Sequence, residues 1–245
     1  MIPLIAVAHG SRDPRSAATI TSLVSVVRSL RPGLDARVSF MDLSAPRLGD
    51  VLAGLRGPVV VVPLLLGRAY HARIDVPALV HEACQRNPRL SVSVTDVLGP
   101  SPRLESAALR RLTAAGATFD APSLGVILAG AGSSDARANA RVAAIAHRWS
   151  LQAGWAGAIE AFAAAASPTV PEAVAALRKQ GASRIAVASW FLAPGLLPDR
   201  VYDSVLELDP DALIADPLGA DPDVAELILH RYDEALQETD LERTG

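Results

Sequence analysis

The chain repeats itself, and the repetition limits what it can fold into. AHGSRDPR at residues 8–15 returns as GAGSSDAR at 130–137, so Gly10 and Gly132 lie 122 residues apart. FMDLSAP at 40–46 returns as FAAAASP at 162–168, with Pro46 and Pro168 at the same spacing of 122. VVVVPLLLG at 59–67 aligns with IAVASWFLA at 185–193 at an offset of 126, and LGPSPRL at 98–104 aligns with LGADPDV at 218–224 at an offset of 120. Matches in one order at nearly one offset mean two tandem copies of a single unit. A short Ala/Gly/Pro-rich stretch at 116–122 separates them. The expected domains are therefore 1–117 and 118–245.

Within each copy, short apolar runs alternate with longer stretches of helical spacing. The runs at 4–8, 36–41, 59–65, 90–95, 124–129, 156–162, 185–190 and 212–215 read as strands. Between the first two, Ile20, Leu23, Val24, Val27 and Leu30 recur at helical spacing. Ser101-Pro102, Ser167-Pro168 and Asp221-Pro222 read as a polar cap followed by proline at a helix start. Strand–helix alternation of this kind implies parallel sheets covered by helices on both faces. The expected fold class is α/β: two tandem similar domains, each a four-stranded parallel sheet flanked by helices, with flavodoxin-like layering.

Half the residues are hydrophobic but only 4% are aromatic, so the core must be mostly Ala, Val and Leu. The formal net charge of −3 argues against a nucleic-acid footprint. The single cysteine, Cys84, allows no internal disulfide and points to a reducing, cytoplasmic setting. No apolar run approaches membrane-spanning length, and the first residues lack the pattern of a secretory leader.

Three polar side chains fall just beyond the first three strands: His9, Asp42 and His71. In a parallel sheet those strand ends share one edge, where ligands bind. Two imidazoles and a carboxylate there could hold a divalent transition metal or perform acid–base work. The bland reading, three capping or hydrogen-bonding residues, has to explain why the second copy carries Ala131, Ala164 and Leu197 at the matching places. One equipped copy and one erased copy suggest a single site. The loop at 67–77 adds Arg68, Tyr70 and Arg73, and Asp75 reads as the cap of the next helix. With Arg12 and Arg15, four arginines near one edge suggest a polyanionic small molecule. Trp190 and Phe191 sit together at a strand end and could wall a pocket for a flat apolar body.

HGSRDPR near the start, PLLLGRAYHARIDVP in the middle and LGPSPRL before the fourth helix resemble the sirohydrochlorin chelatases, the class II chelatases with ferrochelatase and cobaltochelatase branches. The resemblance covers the whole chain in the long, two-repeat form. It implies a chelatase-like fold and ATP-independent insertion of Fe²⁺ or Co²⁺ into sirohydrochlorin for siroheme or cobalamin, with no cofactor beyond that metal. It also implies that His9 and His71 bind the metal and move protons. Asp42 stands where the ferrochelatase branch has a glutamate, which leans the expectation towards iron. The implied substrate contacts are Ser11, Arg12, Arg15, Arg68, Tyr70 and Arg73 around the charged rim, with Leu64, Leu65, Trp190 and Leu197 against the ring. On this view the first half carries the metal site, the second closes the tetrapyrrole cleft, and the fused halves make a self-sufficient monomer, with a dimer the alternative. Two rivals remain at this point. One is a non-catalytic tetrapyrrole or metal carrier on the same fold. The other is a histidine phosphatase-like enzyme, disfavoured because Ala8 stands where that chemistry needs arginine before the histidine.

Overall fold

The computed structural model describes residues 1–67 and 74–244, with side chains as far as 238. Its elements run β1 (Leu4–Ala8), α1 (Pro14–Leu30), β2 (Ala36–Phe40), α2 (Leu48–Ala53), β3 (Gly57–Pro63), α3 (Val76–Arg86), β4 (Leu90–Val94) and α4 (Pro102–Ala114). The second series is β5 (Leu124–Gly130), α5 (Ala136–Gln152), β6 (Gly157–Phe162), α6 (Val170–Lys179), β7 (Arg184–Ser189), α7 (Leu196–Leu208), β8 (Leu213–Ile214) and α8 (Pro222–Thr244). The strands form two parallel four-stranded sheets, ordered β2-β1-β3-β4 and β6-β5-β7-β8. The expected α/β fold with tandem four-stranded sheets is the one observed.

Each sheet explains its own sequence. β1 is hydrogen-bonded between β2 and β3, and all five of its residues are buried. A central parallel strand covered on both faces needs no polar alternation, which is why LIAVA has none. Side chains still alternate between faces. Ile5, Val7, Val59 and Val61 pack with Leu48 and Leu52 of α2 and with Val76, Val80 and Ala83 of α3. Leu4, Ala6, Val60 and Val62 point the other way, the side on which α8 meets β3 and α1. α1 buries Ile20, Leu23, Val24 and Val27, one apolar stripe of helical spacing. In the second sheet Ile127, Ala129, Ile185 and Val187 pack with Val170, Ala173, Val174 and Leu177 of α6 and with Val201 and Val205 of α7.

The compact units do not end where the repeats end. One unit is residues 1–103 with 219–245, and the other is 104–218. The expected boundary at 117 was drawn from the sequence repeat, whereas by packing each unit takes the last helix of the other repeat. α8 is held to the first unit by Tyr232, whose hydroxyl donates to the Ile2 carbonyl at 2.6 Å, and by Arg31, whose two terminal nitrogens bond the Asp233 carboxylate at 2.6 and 2.7 Å. α4 belongs to the second unit, where Glu105 pairs with Arg148 of α5 at 2.6 Å. Periodicity reveals that a helix has an apolar stripe but not which sheet it covers.

Local signals were legible with two exceptions. The caps at Ser101 and Asp221 are present, accepting from Arg103 N at 3.3 Å and Asp223 N at 2.9 Å. Ser167-Pro168, in contrast, lies in a loop, and α6 begins after Thr169, whose amide donates to Glu172 Oε2 at 2.7 Å. Asp75 precedes α3 but already has helical dihedrals, and its side chain makes no capping bond to that helix. Among the described residues, no helix is long and apolar enough to cross a membrane.

Candidate active site

The ends of β1 and β2 are joined beyond the regular ladder. Ala8 pairs with Phe40, after which Met41 N donates to Ala8 O at 2.9 Å and Asp42 N to His9 O at 3.1 Å. His9 and Asp42 therefore leave the sheet side by side on its C-terminal edge, and both are exposed. Gly10 follows at φ +94°, in the left-handed region, and a Cβ there would collide with the Asp42 carbonyl oxygen. Only glycine lets the turn pass so close to the second loop. Ser11 is then bound twice by Ser44: its amide donates to Ser44 Oγ at 3.1 Å, and the Ser44 hydroxyl donates to its carbonyl at 3.0 Å. Ser11 Oγ is occupied in turn by the Asp13 amide at 3.0 Å.

Charge at this edge differs from the expectation. Asp13 caps α1 by accepting from Arg15 N at 2.9 Å, and it also takes the Arg15 side chain, with Nη2 at 2.5 Å. These bonds from Arg15 hold the Asp13 carboxyl below its ordinary value. Arg15 is thus paired within its own turn, and its positive field is largely cancelled there. Arg12 is exposed. Asp42 is paired with Arg47 at 3.2 Å, both side chains being more than half exposed. Arg47 escaped notice in the sequence, although a basic residue after the FMDLSAP loop was the available signal. Of the expected apolar wall, Leu64 and Trp190 are only 3% and 5% exposed, so they present little surface; Leu65 and Leu197 are partly exposed. Arg68, Tyr70, His71 and Arg73 lie outside the described residues. Among the described residues, no three His, Cys, Asp or Glu side chains are grouped to hold a metal ion.

The second repeat keeps the backbone of this edge without its chemistry. Ala163 N donates to Gly130 O at 2.9 Å and Ala164 N to Ala131 O at 3.1 Å, matching the bonds of Met41 and Asp42. Gly132 has φ +84° and faces the Ala164 carbonyl as Gly10 faces that of Asp42. Leu64 N donates to Val7 O, and its counterpart Trp190 N to Ala129 O, each at 2.7 Å. Equal scaffolds thus carry histidine and aspartate in one copy and alanines in the other. An imidazole beside a carboxylate on an open strand edge can accept protons and hold a divalent cation without enclosing it.

Fold and edge together define a two-repeat α/β protein with one equipped half. The CbiX family profile matches the chain twice, over residues 3–115 and 125–235, and the chain belongs to that family. The sirohydrochlorin ferrochelatase of Priestia megaterium is 24% identical over 241 residues, covering 94% of this chain and 89% of its own. The sirohydrochlorin cobaltochelatase of the same organism is also 24% identical, over 253 residues, covering 97% of this chain and 81% of its own. SirB from Bacillus subtilis with Fe³⁺ shares the fold with a TM-score of 0.79 at 22% identity, over 98% of both chains.

Proposed function

We propose that this protein is a sirohydrochlorin chelatase that inserts a divalent metal into the macrocycle without ATP, with Fe²⁺ favoured and Co²⁺ accepted. The observation that carries the reading is the adjacent placement of His9 and Asp42 at one strand edge in a chain of the CbiX family, with alanine at both places in the second repeat. The P. megaterium enzymes named for iron and for cobalt are each 24% identical to this chain, so the lean to iron rests mainly on Asp42.

Insertion exchanges two pyrrole protons for one metal ion. His9 and His71 would hold the incoming ion through neutral imidazole nitrogens and receive the displaced protons. Asp42 would assist once its carboxylate turns from Arg47. An incomplete ligand set suits delivery, because the ion has to leave for the four ring nitrogens. Ser11, Arg12, Arg15, Arg68, Tyr70 and Arg73 would meet the acidic rim of the substrate, with Arg12 the first described candidate since Arg15 is already paired. Leu64, Leu65, Trp190 and Leu197 would face the ring, chiefly through Leu65 and Leu197. The first half would carry the metal and the second would close over the tetrapyrrole, in a cytoplasmic monomer.

An anaerobic absorbance assay of sirohydrochlorin with Fe²⁺ or Co²⁺ tests the proposal. Metallation faster than in protein-free buffer, with iron the faster ion, is the expected result. A bound but unmetallated spectrum with both ions would instead favour the carrier reading.

A further inference from the structure

The two copies solve one local problem differently, and the difference follows the chemistry. In both, the residue two after the His9 position exposes an amide and a carbonyl that the turn itself leaves without partners. In the first copy Ser44 takes both groups of Ser11, across 33 residues of sequence and from the loop that carries Asp42. A hydroxyl can do this because it accepts and donates at once. In the second copy the residue matching Ser44 is Ala166. There Asn139 takes both groups of Ser133: Ser133 N donates to Oδ1 at 2.9 Å, and Nδ2 donates to Ser133 O at 2.7 Å. Asn139 sits on α5, and its counterpart on α1 is Ala17. A hollow of about 400 Å³ is lined by Ser133, Asn139, Ala165 and Ala166 among others.

Backbone bonds join the two loops in both copies, as described above. Among the described residues, a side-chain tie between them is found only where the loops carry His9 and Asp42. In the erased copy the turn is tied to its own helix, which satisfies the same groups but fixes nothing between the loops. We infer that Ser44 is a positioning residue: its hydroxyl clips the His9 turn to the Asp42 loop and so fixes the imidazole and the carboxylate relative to each other for one metal ion. The inference rests on the proposed function, in which these two side chains meet the metal.

A graft separates positioning from mere satisfaction of polar groups. Ser44→Ala removes the clip. Ser44→Ala with Ala17→Asn removes it but supplies the second copy's solution, so that Ser11 is satisfied from α1. Ser44→Thr keeps a hydroxyl. The readouts are thermal stability, Co²⁺ affinity of the free protein by visible absorbance, and insertion kinetics, with wild type and His9→Ala as references. Ser44→Ala is expected to lower Tm and to weaken both Co²⁺ binding and kcat/KM by about tenfold, the usual scale for residues that orient metal ligands. The graft should recover Tm but neither Co²⁺ affinity nor kcat/KM, and Ser44→Thr should stay close to wild type in all three. Wild-type Co²⁺ affinity in Ser44→Ala, or full recovery of it in the graft, would overturn the inference. A wild type that binds Co²⁺ through His9 but inserts neither ion sinks the chelatase reading, while the Co²⁺ titrations still decide the role of Ser44. A wild type that binds no Co²⁺ overturns both.

Discussion

Asp42 is not free of partners at the edge it shares with His9. The carboxylate proposed to assist the metal is held at 3.2 Å by the Arg47 guanidinium, with both side chains exposed. Exposed pairs of this kind contribute about 0.2–1 kcal/mol. Arg47→Gln should therefore tighten Co²⁺ binding by no more than about fivefold, the equivalent of that energy, and Asp42→Asn in the same background should abolish the gain. Titration of the single and double variants checks this; an Arg47→Gln effect that persists in Asp42→Asn would mean that the arginine acts elsewhere. His9 and Asp42 were legible in the sequence because each follows an apolar run and each is erased in the duplicate. Ser44 and Arg47 were not. A serine and an arginine in a loop look alike whether they clip two turns together or face solvent, and only the fold brings residues 11 and 44 within bonding distance.

Helix α8 shows what a sequence pattern can and cannot convey. Its start, Asp221-Pro222, was readable because caps are local. Its partner was not, because packing against α1 and β3 joins opposite ends of the chain. Tyr232 anchors this arrangement, 1% exposed and bonded to the Ile2 carbonyl. Tyr232→Phe keeps the ring but leaves that acceptor unmet, and should cost about 1 kcal/mol or somewhat more in chemical denaturation. Burial raises the Tyr232 and Tyr202 phenols above their ordinary value of 10.0. The folded state thus holds these protons more tightly than the unfolded one. Their contribution is fully present below the ordinary value and is lost as pH rises through the raised one. The fall of Tm with alkaline pH should be shallower in the Tyr202→Phe, Tyr232→Phe double variant; an unchanged slope would count against burial as its cause.

At the scale of the whole molecule, duplication and packing divide the chain differently. The family profile matches residues 3–115 and 125–235, while the compact units exchange α4 and α8. A fragment of residues 1–117 would carry α4 without the unit it packs in and would lack α8, leaving the faces of β3 and α1 that α8 covers open. It should fail to give a cooperatively folded monomer, judged by circular dichroism and sedimentation; a stable, monomeric 1–117 would contradict the exchange. An even scaffold thus carries His9 and Asp42 at one edge and alanines at the other. The most direct test of the proposed metal chemistry is the anaerobic rate of metal insertion into sirohydrochlorin by His9→Ala, its fold checked against wild type. The account predicts a loss of about a hundredfold or more, the scale of a group that moves protons and holds the ion. A folded His9→Ala protein that metallates sirohydrochlorin at the wild-type rate would contradict it.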